Sequence, residues 1–268
     1  MITIFTWFGY ELLMKDSLKL IKQAGFDGVT LWWGEAFAFE KIEYRNIPAL
    51  ARKTGLYIEN IHTPFDKNIN NFWLDNPDGD ILTDSFLRMV DDCSEYDIPT
   101  MVVHLSSGDN PPPFSELGLD RIKRIIEKAE KQNINIVFEN LRHLQHLEYI
   151  LDNIDSSRAG FCYDSGHQHC RNLNVDLLSR YGSRLKALHL HDNDGYISGS
   201  AEEDQHLLPF DGTIDWPVTM KKIAQTGYTG SVALEVIHRG YENLPPEDFL
   251  LLAFERAKKL KIFLREPI

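Results

Sequence analysis

Residues 99–139, PTMVVHLSSGDNPPPFSELGLDRIKRIIEKAEKQNINIVFE, decide the fold. Two short apolar runs, 99–103 (PTMVV) and 134–138 (INIVF), enclose a segment in which Ile122, Ile125, Ile126 and Ala129 recur at helical spacing. Neither run alternates strictly between polar and apolar. That is how a strand reads when helices cover both faces of a parallel sheet. The stretch predicts strand, helix, strand.

The same unit repeats in both directions. Further strands are expected at 2–6 (ITIFT), 28–32 (GVTLW), 57–61 (YIENI), 159–163 (AGFCY), 186–190 (KALHL) and 231–236 (SVALEV). Leu18, Ile21 and Ala24 mark a first helix, and Leu82, Phe86, Val90 and Cys93 a third. Phe249, Leu252, Arg256 and Leu260 mark the last, entered through Pro245-Pro246-Glu247-Asp248. Asp215-Trp216-Pro217 reads as another helix start, with Asp215 as N-cap. Eight strands alternating with roughly eight helices predict an α/β fold, a (β/α)8 TIM barrel forming one domain over residues 1–268. A doubly wound sheet is the alternative. It would usually carry a glycine-rich phosphate loop after its first strand, and neither GxGxxG nor a Walker sequence occurs.

Composition narrows the function classes. Of 268 residues, 43% are hydrophobic and 25% charged, which excludes disordered, collagenous and coiled-coil chains. No run of 18 apolar residues occurs, so no membrane span is expected. MITIFTWFGY does not read as a secretory signal. The 28 Lys and Arg against 40 Asp and Glu give a net charge of −12, which repels polyanions and makes nucleic acid the less expected partner. Cys93, Cys162 and Cys170 form neither a CxxC pair nor a disulfide framework, so the reducing cytoplasm is the expected compartment.

The chemistry is read from the strand ends. Long polar loops at 62–80, 105–116 and 192–215 follow the third, fourth and seventh strands, on the face where a barrel keeps its active site. At or just beyond strand ends stand His62, His104, Glu139, Asp164 with His167, His189 with His191, and Glu235. Such a rim of carboxylates is electrostatically costly without a cation, and carboxylates with neutral imidazoles are ligands for a divalent metal. Asp164-Ser165-Gly166-His167 is the sharpest local signal, with Asp and His expected to meet one metal cluster across a glycine turn; the competing reading is an Asp that caps the next turn. His189 is taken as the ligand and His191 as a pocket or outer group, on the expectation that only one of them faces the interior unless the strand has ended. Asp204 and His206 would fold back over the mouth, or else belong to a solvated acidic loop. Trp32 and Phe65 would wall the pocket with apolar surface, with one of Trp32 and Trp33 facing the helices instead. Arg142, His143, His238 and Arg239 would receive a phosphate or hydroxyl, or else stand as solvent-facing loop cations.

IHTPF, VVHLS, VFEN, YDSGHQH, LHLHDNDG, DQHLLPFDGTIDW and ALEV together resemble the xylose-isomerase-like TIM-barrel superfamily across essentially the whole chain. That group holds sugar and sugar-phosphate isomerases and epimerases, and the endonuclease IV class of abasic-site nucleases. The resemblance implies a single divalent ion, zinc or manganese, on Glu139, Asp164, His189 and Glu235, which lie 25, 25 and 46 residues apart. It implies Glu139 and Glu235 as the acid–base pair that moves a proton beside a carbonyl, through an enediolate, on a small carbohydrate-like substrate. The nuclease class adds ligands at the positions of His62, His104, His167, Asp204 and His206, for as many as three zincs and phosphoester hydrolysis. Against a nuclease stand the net charge, a second-strand loop reading WWGEAFAFE with Glu35 and Glu40 but no arginine, and HTPFDKN without an aromatic and leucine wedge. Relatives in the group often assemble as homo-oligomers.

Overall fold

Burial on both faces is what these strands require, and the computed structural model, which describes residues 1–34, 42–196 and 203–265, supplies it. The strands are β1 (Ile2–Phe5), β2 (Gly28–Trp32), β3 (Tyr57–His62), β4 (Thr100–Val103), β5 (Asn135–Glu139), β6 (Ala159–Asp164), β7 (Leu185–His189) and β8 (Val232–Leu234). All pair in parallel, in the order β7-β6-β5-β4-β3-β2-β1-β8. The ring closes between β7 and β8 through one bridge, Leu190 to Leu234, with Leu190 N donating to Ala233 O (2.9 Å) and Glu235 N to Leu190 O (3.1 Å). The (β/α)8 barrel is therefore the fold. The doubly wound alternative falls, because an open sheet has no such closing bridge. Each expected strand is present, with the eighth shortened to three residues.

The helices are α1 (Met14–Ala24), α2 (Ile47–Lys53), α3 (Pro77–Glu95), α4 (Glu116–Gln132), α5 (Leu144–Asn153), α6 (Ser165–Arg171), α7 (Leu177–Tyr181), α8 (Trp216–Gln225) and α9 (Pro246–Arg265). Leu18, Ile21 and Ala24 of α1 are buried, as are Ile122, Ile125, Ile126 and Ala129 of α4. Ser115 caps α4 by accepting from Gly118 N, and Asp215 caps α8 by accepting from Val218 N. In α9 the buried stripe runs through Phe249, Leu250, Ala253, Ala257 and Leu260. The expected Leu252 is only partly buried, and Arg256 reaches out to Asp211. No helix among the described residues is long and apolar enough to cross a membrane.

Two of the expected polar loops are built more firmly than their composition suggests. The 62–80 stretch contains a 3-10 turn, Lys67–Trp73, that buries Ile69, Phe72 and Trp73. Arg121, reaching back from α4 and 3% exposed, donates to the carbonyls of Asn71, Phe72, Leu74 and Asn76 and pairs with Asp80. Asn70 in turn holds the following loop through Ser107, accepting from its N–H and donating to its carbonyl at 2.9 Å each. In the 192–215 loop, Asp192 and Leu207 exchange two main-chain hydrogen bonds. The buried Asp192 carboxylate accepts from Asn193 N, Phe210 N, Ile214 N and Trp216 Nε1, clamping both limbs of that loop. Glu35 and Glu40 fall at 35–41, outside the described residues.

Two outcomes follow from these clamps. Arg121→Met keeps the stem but strands four carbonyls, and urea unfolding is expected to show a loss of about 2–4 kcal/mol. A change within experimental error would mean that the guanidinium is replaceable by water. Asp192→Asn turns an amide NH2 toward converging N–H donors, so the amides of Phe210 and Ile214 are expected to exchange faster with deuterium while those of β4 and β5 keep their rates.

Candidate metal centre

The strand ends deliver the chemistry. His62, Glu139, Asp164 and His189 are the last residues of β3, β5, β6 and β7, while His104 and Glu235 stand one residue beyond β4 and β8. Asp164 and His189 sit side by side in register. His167 comes from the first turn of α6, and Asp204 and His206 from the returning limb of the 192–215 loop. All nine residues singled out in the sequence meet at one mouth. His189 Nδ1 lies 3.0 Å from both Glu139 Oε2 and Glu235 Oε2. His62 Nε2 and His104 Nε2 reach the same Glu139 oxygen at 3.4 and 3.2 Å. Asp204 lies between His167 Nε2 (3.0 Å) and His206 Nε2 (3.4 Å).

Asp164 does two things at once. It ends β6, and its carboxylate caps α6 by accepting from His167 N at 2.6 Å. The expected glycine turn is absent: α6 begins at Ser165, and Gly166 is helical. A Cβ on Gly166 would lie 1.9 Å from the His191 ring, so glycine is required for close approach and not for a turn. His191 is fully buried, with Nε2 3.1 Å from each Asp164 oxygen, and its ring stacks on His206 at 3.9 Å. The strand ends at His189, so the condition that only one of His189 and His191 faces inward does not apply. Positions two apart share a strand face, and both rings join the cluster.

The hydrogen bonding of three imidazoles tests whether a cation fits. His62 Nδ1 faces Thr63 O (2.8 Å), His167 Nδ1 faces Asn140 O (2.9 Å) and His206 Nδ1 faces Glu235 O (2.8 Å). A carbonyl only accepts, so each Nδ1 carries the proton and donates it. Each Nε2 is then left facing a carboxylate oxygen, on the side from which an imidazole binds a cation. Main-chain carbonyls behind imidazoles are what orients metal-ligating histidines. The donor atoms of Glu139, Asp164, His189 and Glu235 all lie within 4.8 Å of one another. The same holds for His62, Glu139 and His189, and for His191, Asp204 and His206. These clusters are suited to a divalent metal.

Protons compete for the same positions. Burial would depress His206, but Asp204 outweighs it and lifts the imidazole to about 9. Burial likewise opposes the charged form of His167, yet Asp164 and Asp204 hold it well above its ordinary range. Burial would raise Glu235, but His189 brings it down to about 2. Glu139 is also buried, and His104 and His189 keep it well below the usual carboxylate range.

Above the cluster opens a cavity of about 260 Å³. Phe65 lines it, stacked on His104 at 4.6 Å, and so does Arg142. Trp32 stands one layer back, stacked on His62, while Trp33 turns to the helices and donates Nε1–H to Asp92 of α3. His238 packs on Tyr10 at 4.3 Å, and neither it nor Arg239 lines the cavity. Ser106, Ser107 and Arg171 do line it and were missed. Arg171 was within reach of the sequence, because it follows His167 by four residues and so shares its helix face.

The chain matches the family described as xylose isomerase-like TIM barrel over residues 18–259. It is 26% identical to the uncharacterised protein y4fM of Sinorhizobium fredii, across 100% of this chain and 94% of that protein. It is 23% identical to an inosose isomerase of Bacillus velezensis, a match covering 52% of this chain and 53% of that enzyme. D-psicose 3-epimerase from Clostridium cellulolyticum H10, solved with D-tagatose, superposes with a TM-score of 0.75 at 16% identity over 99% of each chain, a likeness of fold. With the family match running from α1 to α9 around this barrel, the chain belongs to the xylose isomerase-like TIM-barrel family.

Proposed function

We propose that this protein is a divalent-metal-dependent isomerase or epimerase, acting on a sugar, sugar phosphate or related polyhydroxy ketone through an enediolate. One observation carries the reading: the buried Glu139 and the partly buried Glu235 flank His189 Nδ1 at 3.0 Å each, at the floor of a small-molecule cavity. The names of the inosose isomerase and psicose epimerase relatives support it. Glu139, Asp164, His189 and Glu235 would hold one ion, zinc or manganese by the mixture of carboxylate and imidazole. A bound divalent ion supplies Lewis-acid polarisation of a carbonyl. The chain supplies the proton chemistry. One glutamate takes the proton from the carbon beside the carbonyl, leaving the electron pair in the enediolate, and the other returns a proton to the same carbon or its neighbour. Both carboxyls are held in the ionised range by their histidines, so either can act as the base at neutral pH. Phe65 over His104 would keep bulk water from the reacting face. The buried, unpaired Cys93, Cys162 and Cys170 support a reducing, cytoplasmic setting, and one barrel over 1–268 would carry the whole activity.

A second reading rests on Asp204. Its position between His167 and His206, with His62 and His104 on Glu139, suits two further ions and hence metal-assisted phosphoester hydrolysis. Metal content per chain decides between the readings. About one ion with proton exchange on ketoses supports the isomerase. Two or three zincs with phosphoester cleavage and no exchange would displace it.

Glu139→Gln and Glu235→Gln are each expected to slow deuterium exchange from solvent into a ketose substrate by at least about a hundredfold. Exchange at the wild-type rate in both would remove the glutamates from the reaction. Metal affinity is expected to rise with pH between about 6 and 9, because protons on the imidazoles must leave before the ion binds. Calorimetry in buffers of different ionisation enthalpy checks this, and binding without proton release would exclude the raised histidines as ligands.

A further inference from the structure

The cavity is not lined by acids and imidazoles alone. Arg142, just beyond β5, and Arg171, at the end of α6, both line it, together with His143 and Ser106. In a chain with a net charge of −12, two guanidinium groups on the wall of an acidic mouth call for a reason.

Their hydrogen bonding supplies one. Arg121 places its guanidinium donors on four carbonyls and Asp80, and Arg45 grips Asp92 with two hydrogen bonds. Arg142 makes no such bond among the described residues. It only approaches Asp109 at 3.4 Å and Glu203 at 3.6 Å, beyond the ~2.7–2.9 Å of a close charge-assisted pair. Arg171 gives one long bond, 3.4 Å to Asp204 Oδ2. Two guanidinium groups held only by long contacts thus line the same cavity as Glu139 and Glu235. Asp109 is largely exposed and free to turn to water, while Glu203 is buried and stays as the counter-charge of Arg142.

Resting on the isomerase reading above, we infer that this wall is an anion subsite: the substrate is a polyhydroxy ketone whose far end carries a phosphate or carboxylate, received by Arg142 with Arg171 and His143. An oxyanion with several acceptor lone pairs matches the planar fork of a guanidinium, which a neutral hydroxyl would leave mostly unmatched. Arg142 acts here on binding and specificity, not on the proton transfer.

The experiment uses metal-loaded wild-type protein and Arg142→Gln, which alters a half-exposed side chain outside the metal cluster. Deuterium exchange beside the carbonyl is followed by NMR for neutral ketoses, the same ketoses phosphorylated at the far end, and keto sugars ending in a carboxylate. The anionic substrates are expected to exceed the neutral ones by about tenfold or more in kcat/KM. Arg142→Gln is expected to lower kcat/KM for the anionic substrates about tenfold more than for the neutral ones, with the difference lying in KM, and to be partly rescued by Arg142→Lys. Whether the phosphates or the carboxylates lead identifies the anion. A preference for neutral ketoses, or an equal effect of the variant on both classes, overturns the subsite and leaves the isomerase reading standing. If nothing exchanges, that reading fails by itself, and calorimetry with inorganic phosphate still tests the subsite. Binding weakened about tenfold in Arg142→Gln supports it, whereas unchanged binding places phosphate on the metal alone and overturns it.

Discussion

Three main-chain carbonyls, those of Thr63, Asn140 and Glu235, govern the mouth of this barrel. By claiming the Nδ1 protons of His62, His167 and His206, they leave each ring one way to serve, with Nε2 turned toward a carboxylate. The carbonyls belong to the segments that carry or adjoin the ligands, so their direction is fixed by the same strands that fix the carboxylates. The side chains are oriented by the barrel itself. What remains adjustable is the charge placed among them, as protons or as a metal ion, and that choice couples ligand loading to acidity.

The cluster also explains where the fold is irregular. Asp164 serves as strand end, helix cap and cluster member because α6 starts without any connecting loop. Gly166 is the concession that lets His191 lie against that first turn. The Asp204–His206 limb has no strand of its own, so Asp192 anchors it from below with four accepted hydrogen bonds. A buried carboxylate satisfied by N–H donors is stable in that place and rigid, which suits a support for ligands carried on a loop.

Much of this was legible in the chain. Parallel strands buried on both faces are continuous apolar runs, and ionisable residues closing such runs stand out. That is why the eight strands and the nine clustered residues could be named from their letters. The supports were hidden for a physical reason. Asn70, Asn71 and Asn76 read as loop polarity, and nothing local says that Arg121, forty-five residues on from Asn76, supplies the donors for their segment. Trp32 and Trp33 look alike in sequence, yet one backs His62 and the other bonds to α3. The His189 and His191 pair was hard to tell apart because strand alternation separates neighbours, not residues two apart. Arg171 was overlooked because α6 was read as a turn, which concealed the helical spacing from His167.

The closing bridge of the barrel carries one last implication. Among the described residues β7 and β8 share one bridge, Leu190 to Leu234, whereas every other pair of neighbouring strands shares at least two residues in register. His189 and Glu235 stand on opposite sides of that seam and belong to the same candidate ligand set. An ion held by both would rivet the weakest joint of the cylinder, making occupancy of the centre a mechanical property of the fold as well as a chemical one. The emptied barrel would breathe first along this line, the local unfolding unit being the β7–β8 edge and not the protein as a whole.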